Sequence, residues 1–431
     1  MDLLTANDQP GVYPASYYAA TTDLLPLCPV AQGDLTCDVA VVGGGYTGLS
    51  AALHLAERGY DVVLLEAQRV GFGASGRNGG QVATGQRLDQ EALEDLVGTD
   101  EARRLWELSL SSVDLVHDLC DRHGIACDWQ DGLIEALHTK GLAREASRYP
   151  DHMATQYGYT RMRNLDRAEM REAVESPAYV GGVLDEGSGH LHPLKYALGL
   201  ARAALNAGVR VFEQSRVSNL VAGDPVQLTT THATVTARHV LLAANGYLGD
   251  LAPAVAAYVM PINNFIVATA KLDNPEALIA RNRAVADSKF VLNYFRRSAD
   301  GRLLFGGGES YGYRFPRDIA RTVRRPLAQI FPQLAKIPFD YAWGGTLAIT
   351  MSRLPHVTRL RGNILSASGF SGHGVALGTL AGQIMAETVA GQAERFDLMA
   401  RQPTGRFFGG AALRHPLLVL AMLWYGLRDR L

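Results

Sequence analysis

Lysine is scarce in this chain. Of 41 basic residues only Lys140, Lys195, Lys271, Lys289 and Lys336 are lysines, so a site that needs one has five positions to draw on. Net charge is nearly absent as well. The 41 basic and 43 acidic side chains leave −2, which provides neither a basic face for nucleic acid nor a polybasic patch for a membrane. The four cysteines, Cys28, Cys37, Cys120 and Cys127, show no disulfide or zinc spacing, and no metal site is expected from them. Buried free thiols in a reducing cytoplasm are the expectation. The most apolar stretch, Pro416 to Leu427, is too short to span a bilayer and is expected to dock as a helix. The opening residues Met1 to Asp8 carry acids and no basic stretch, so no secretory leader is expected and the location expected is cytoplasmic. There is no internal repeat and no low-complexity tract.

What is present is ordinary in bulk: 47% apolar and 19% charged residues over 431 positions. That is a globular composition, in a chain long enough for two domains. The informative stretch runs from Val39 to Gly48, an apolar strand entering the spacing Gly43-x-Gly45-x-x-Gly48. A second apolar run, Val62 to Leu65, ends on Glu66. Strand, tight turn, helix, strand and acid together form a dinucleotide-binding fingerprint. The first glycine permits the turn, the second lets backbone approach a pyrophosphate, and the third packs helix on sheet. Glu66 is placed to accept from the adenosine ribose, which argues against a 2′-phosphate.

Three further segments favour FAD over NAD. Gly71 to Gln81 is too glycine-rich for an ordinary helix and brings backbone close to a ligand. Val240 to Gly246 is an apolar strand ending in small residues, and Ile364 to Gly374 is a strand and glycine turn entering a helix of small residues, Ala376 to Ala386. A late return of this kind suits a protein that wraps an extended FAD. The residues expected to hold it are Gly43, Gly45, Tyr46, Thr47, Gly48, Glu66 and Ala67, then Ser75, Gly76, Arg77, Asn78, Gly79, Gly80 and Gln81. Val217, Ala244, Asn245, Gly246, Gly344, Gly372, His373 and Gly374 complete the set.

With these motifs the sequence resembles the D-amino-acid-oxidase-like FAD-dependent oxidoreductases, which include the sarcosine and glycine oxidases. Within them it is most similar to the gamma-glutamylputrescine oxidoreductases. The resemblance rests on Ser16 to Thr21, Cys37 to Ser50, Gly71 to Gln81, Asp300 to Gly307, Gly369 to Gly374 and the tail Leu423 to Leu431. It implies an oxidase of a small-molecule amine that uses molecular oxygen, releasing aldehyde, ammonia and hydrogen peroxide. A sarcosine- or glycine-type oxidase, an amine dehydrogenase and a non-catalytic flavin-binding protein are the alternatives. In sarcosine-type relatives a cysteine near Gly344 to Thr346 carries the flavin. No cysteine follows Cys127 here, so non-covalent FAD is expected. Those relatives also carry a substrate-binding lysine where Ala376 stands, which leans toward a long amine over a small amino acid.

The expected fold is α/β: a discontinuous Rossmann-like FAD-binding domain with an inserted antiparallel-sheet substrate domain. The FAD-binding domain is expected over 35–90, 160–250 and 344–395, the substrate domain over 91–159 and 251–343, and a C-terminal helical extension over 396–431. The apolar stripe of Leu93, Leu96, Leu105, Leu108, Leu115 and Leu119 predicts a long helix from Gln90 to His123, stopped by Gly124. Three residues are candidates for the chemistry. His373 lies in a turn before a helix and can polarise a flavin site. Arg77 can grip an anionic substrate end. Tyr294 can wall the substrate pocket from a strand just before the hairpin signal Asp300-Gly301.

Overall fold

The computed structural model describes residues 2–408, except Phe290, Tyr311 and the side chains of Glu309 and Ser310. Two sheets organise it. The first has eight strands, with a path running His356–Arg361, Ile364–Ser368, Ala233–Leu242, Gly33–Val42, Val62–Leu65 and Arg210–Phe212. The last five are parallel, and parallel strands need cover on both faces. Val39, Val41, Val62 and Leu64 face a core shared with helices Tyr46–Ala56, Thr99–His123, Pro193–Asn206 and Ala376–Val389. Ala40, Val42, Val63 and Leu65 face the opposite side, with Leu228, Val235 and Val255. This explains why these strands read as continuous apolar runs.

The second sheet has nine strands, with a path running Phe339–Ile349, Met260–Thr269, Leu303–Ser310, Tyr294–Arg297, Ala284–Asp287, Gln130–Leu137, Gly181–His190 and Gln81–Val82. Its pairings are antiparallel except that of Ala284–Asp287 with Gln130–Leu137. Phe265, Phe295, Phe305 and Phe331 fill one face beneath helix Ile319–Ile330. The alternate positions turn Tyr294, Ile266 and Trp343 toward the first core. The mixed α/β architecture of the expectation is observed.

The sheets are not divided at the expected boundaries. Helix Thr99–His123, expected in the substrate domain, packs into the first core. Strands Met162–Leu165 and Gly181–His190, expected in the FAD-binding domain, belong to the second sheet. Gln81–Val82 also joins that sheet, and its last strand continues to Ile349, past the expected break at 343. Alternation shows that a strand is half-buried but not which neighbour it pairs with. The predicted long helix is two, Gln90–Val97 and Thr99–His123, separated at Gly98, whose φ is +84°. Gly124 caps the second in the left-handed region, as expected. Of the C-terminal extension the helix Glu394–Ala400 is described; 409–431, with Pro416 to Leu427 and the tail from Leu423, lies outside the described residues.

Cys28 and Cys127 are buried, whereas Cys37 and Cys120 are only partly so. The sulfurs of Cys120 and Cys127 lie 3.5 Å apart, a proximity their spacing did not suggest. Among the described residues no helix is long and apolar enough to cross a membrane, and no cluster of His, Cys, Asp and Glu could hold a metal ion.

Candidate active site

The fingerprint opens onto a cleft of about 360 Å³ at the C-terminal ends of Gly33–Val42 and Val62–Leu65. Gly43, Gly45, Glu66, Ala67, Ser75, Val217, Ala244 and Asn245 line it. The glycines are required by contact. A Cβ on Gly48 would stand 1.9 Å from the Gly43 carbonyl oxygen, and Gly43 itself has φ +109°. A Cβ on Gly45 would enter the cradle, 2.8 Å from Ser75 Oγ. Glu66 accepts from the Gly44 and Gln68 N–H groups at 2.6 and 2.8 Å, and burial pushes its carboxyl up to about 7. A glycine-lined cleft, a helix start and a recessed acid fit the adenosine and pyrophosphate parts of a dinucleotide. The Tyr46 and Thr47 side chains turn away from it. Tyr46 donates to the Pro193 carbonyl at 3.1 Å, and Thr47 packs on Gly378 of the last cofactor helix.

The glycine block forms a stapled loop. Asn78 Nδ2 donates to the Ala74 and Ser75 carbonyls at 2.9 and 3.1 Å, and its Oδ1 accepts from the Gly80 N–H at 2.7 Å. Ser75 Oγ accepts from the Tyr46 N–H at 3.0 Å, tying the loop to the fingerprint helix. Gly76 lies close against the Gly71 carbonyl. Gln81 donates to the Val285 carbonyl at 2.9 Å, and Gly80 sits against the Leu191 carbonyl. Arg77, expected as a grip for substrate, is engaged elsewhere. Its Nε donates to the Phe72 carbonyl at 2.6 Å, its Nη1 to Asp8, and the guanidinium stacks on Phe72 at 4.3 Å. Its Nη2 is buried without a protein partner.

Tyr294 reaches this loop from the second sheet. Its ring lies over Gly79 and Gly306, where a Cβ would meet it at 2.7 and 2.1 Å. Its hydroxyl donates to Asn264 Oδ1, and burial pushes the phenol well above its ordinary range. His373 sits in the turn before Ala376–Val389, its N–H donating to the Phe370 carbonyl at 2.9 Å. Burial, then the charge of Arg87, push its ring down to about 3, so it is a neutral imidazole at physiological pH. Gly372 has φ +99°, and Gly374 packs on Phe370.

Two further expected cofactor residues face elsewhere. Gly344 presents its Cα to Phe315 on the far side of the sheet, while Gly345 lies against Arg77. Gly246 packs on Ala348. The sequence also hid contributors that come from distant segments. Leu4 and Tyr247 line the cleft. The N-terminal segment is strapped across its edge, with Gln68 Nε2 donating to the Leu4 carbonyl at 2.8 Å and the Gly11 N–H donating to Gln68 Oε1 at 2.6 Å. Nothing in residues 2–11 forms a motif that could have signalled this. Of the five lysines, Lys271 is mostly exposed, 3.8 Å from Asp300, and Lys289 is half-buried beside Asp287.

Comparison with known proteins agrees with this geometry. Gamma-glutamylputrescine oxidoreductase of Escherichia coli (strain K12) is 42% identical over 421 residues, covering 97% of this chain and 98% of that protein. A probable oxidoreductase, OrdL, of Rhizobium meliloti (strain 1021) is 40% identical over 416 residues, covering 96% and 97%. Among solved structures, glycine oxidase from Geobacillus kaustophilus superposes with a TM-score of 0.74 at 24% identity, over 86% of this chain and 99% of that one. Residues 38–388 match the family described as FAD dependent oxidoreductase, DAO. The chain therefore belongs to the DAO family of FAD-dependent oxidoreductases, and FAD is its dinucleotide.

Proposed function

We propose that this protein is an amine oxidase that acts in the cytoplasm on the terminal primary amine of gamma-glutamylputrescine or a closely related polyamine derivative. The observation that carries this reading is the 42% identity with the Escherichia coli enzyme over nearly the whole of both chains. The amine R–CH2–NH2 loses two electrons and two protons to become an imine. Water hydrolyses the imine to R–CHO and ammonia, and molecular oxygen takes up the electrons and protons to give hydrogen peroxide. FAD, bound non-covalently, supplies the two-electron acceptor.

The side chains supply position and polarity. Tyr294 walls the site, with its phenol directed to Asn264. His373, held neutral by burial, places no cation beside a reacting amine and offers a hydrogen bond. A small α-amino acid needs cationic anchors next to its reacting carbon. Arg77 is engaged with Asp8, and Ala376, the first residue of its helix, is buried and carries only a methyl group. Both features support a substrate whose reacting end is a simple alkylamine.

Anaerobic addition of gamma-glutamylputrescine to the purified yellow protein tests the reading. The expected result is rapid bleaching of the flavin absorbance, reversed by air with peroxide release. Bleaching by sarcosine or glycine and by no glutamylated amine would overturn it.

A further inference from the structure

Cys120 and Cys127 have no place in the cofactor cleft, yet their sulfurs are in contact at 3.5 Å. The chain brings them together at its own turn. Cys120 lies in the last turn of helix Thr99–His123, which Gly124 ends in the left-handed region. The Gly124 and Ile125 N–H groups both donate back to the Cys120 carbonyl, the second at 2.8 Å. The backbone thus folds over the helix end, and Cys127 returns beside Cys120. The far side of the turn is fastened separately. The His192 N–H donates to the Cys127 carbonyl at 2.7 Å, and Lys195 Nζ donates to both carboxylate oxygens of Asp128 at 3.0 and 2.8 Å. One sulfur is held by a helix, the other by a turn tied to the start of helix Pro193–Asn206.

Contact between two free thiols has a specific chemistry. A disulfide needs its sulfurs at about 2.0 Å, so an approach of about 1.5 Å, within reach of side-chain torsions, closes this pair. Cys120 is only partly buried, which leaves the pair open to a small solute from that side. The contact also divides the two thiols. A Cys120 S–H that donates to Cys127 favours a thiolate there, holding the Cys127 thiol below its ordinary value and the Cys120 thiol above. Cys28 and Cys37 differ: burial, then the carboxylates of Glu213 and Asp61, push both thiols up. They are internal controls for any reagent that seeks a thiolate.

We propose that Cys120 and Cys127 are a modification site for hydrogen peroxide, which converts them to a reversible disulfide. Peroxide is a product of the reaction proposed above, so its source rests on that reading, whereas the chemistry of the pair does not. The Cys127 thiolate attacks one peroxide oxygen. The O–O bond breaks, a sulfenic acid forms, and the departing hydroxide takes a proton to become water. Cys120 then gives up its proton and attacks the sulfenic sulfur. The S–S bond forms as the S–OH bond breaks, and a second water leaves. Two thiols lose two electrons and one peroxide gains them. The link fastens the end of helix Thr99–His123 to the turn that holds His192, the cap of helix Pro193–Asn206. That helix sets Leu194 and Ala197 against Gly71 and Gly76 of the glycine block, so oxidation stiffens the frame of the cofactor site.

The test exposes holoenzyme of the wild type and of the Cys120→Ser variant to added hydrogen peroxide, alkylates the remaining thiols and digests without reductant for mass spectrometry. In the wild type a peptide linking Cys120 to Cys127 is expected, with two of the four thiols lost and both restored by dithiothreitol. Cys28 and Cys37 should still be alkylated. The temperature at which FAD fluorescence appears on heating should rise by about 2 °C or more on oxidation and return on reduction. In Cys120→Ser, dimedone should trap a sulfenic acid on Cys127, with no change in the release temperature. Four surviving thiols, oxidation of the pair past the sulfenic stage without a link, or a link between two chains overturns the proposal. A linked protein with an unmoved release temperature overturns the stiffening. Turnover of gamma-glutamylputrescine in air should form the same link, and catalase should prevent it. If that amine yields no peroxide, the substrate reading falls, and added peroxide still decides the fate of the pair.

Discussion

Arg77 donates from Nη1 to both carboxylate oxygens of Asp8, at 2.9 and 3.0 Å, with 1% and 11% of the two side chains exposed. The pair fastens the N-terminal segment to the glycine block that follows the fingerprint. Removing one partner leaves an uncompensated charge in a nearly dry setting. Asp8→Ala is therefore expected to lower stability by about 3–5 kcal/mol. It should also lower the temperature at which FAD fluorescence appears on heating. An unchanged release temperature would show that the strap does not hold the cofactor site.

The third fingerprint glycine is set by contact with backbone. Gly48→Ala would place a Cβ 1.9 Å from the Gly43 carbonyl oxygen, a backbone atom that cannot swing away. A loss of about 3 kcal/mol or more is expected, together with a colourless purified protein. Gly362→Ala meets nothing within 4 Å and should keep the wild-type flavin content, so the flavin absorbance of the two variants checks the contact directly.

Tyr294 contributes a ring and a hydroxyl separately. Tyr294→Phe removes only the donation to Asn264, at about 1–3 kcal/mol for the acceptor left behind. FAD should remain bound, with turnover reduced no more than about tenfold to a hundredfold on that figure. Tyr294→Ala also empties the space over Gly79 and Gly306 and should reduce turnover further. Steady-state kinetics and the flavin spectrum distinguish the two; identical behaviour would assign the role to the hydroxyl alone.

His192 caps helix Pro193–Asn206 by accepting from the Lys195 N–H at 3.2 Å, and its ring stands edge-on to Tyr18. Burial, then Arg296 and Lys195, push its ring from 6.5 down to about 3. Between those values the unfolded chain binds a proton that the folded chain refuses. Its contribution to stability is complete above pH 6.5 and is lost as the pH falls toward 3. His192→Asn keeps a good capping acceptor and removes the titration. Denaturation midpoints between pH 7 and 4 should then fall less steeply than in the wild type, by up to ~1.4 kcal/mol per pH unit.

Local pattern carried much of the fold and part of the site. The apolar runs at Val39 to Val42 and Val62 to Leu65 are parallel neighbours, and Gly43, Gly45 and Glu66 meet at one cleft. Their meaning lies in spacing along a single βαβ unit, so it is legible without the rest of the molecule. The hairpin at Asp300-Gly301 and the stop at Gly124 are local for the same reason, each a single residue in the left-handed region.

The placements of Arg77, Gly344 and Glu135 were decided elsewhere. Arg77 meets Asp8 from 69 residues away. Gly344 faces Phe315 because the pairing of strand Phe339–Ile349 with Met260–Thr269 sets it opposite Phe265, on the phenylalanine face. Glu135 joins the row of Tyr294 through Ala286, a residue 151 positions along the chain. Sequence by itself determined the cofactor class, the α/β architecture and the family, because these rest on periodicity and on motifs within short reach. Only the tertiary structure decided which charges are engaged and which side chains share a face, because strand pairing and chain crossings bring distant residues together.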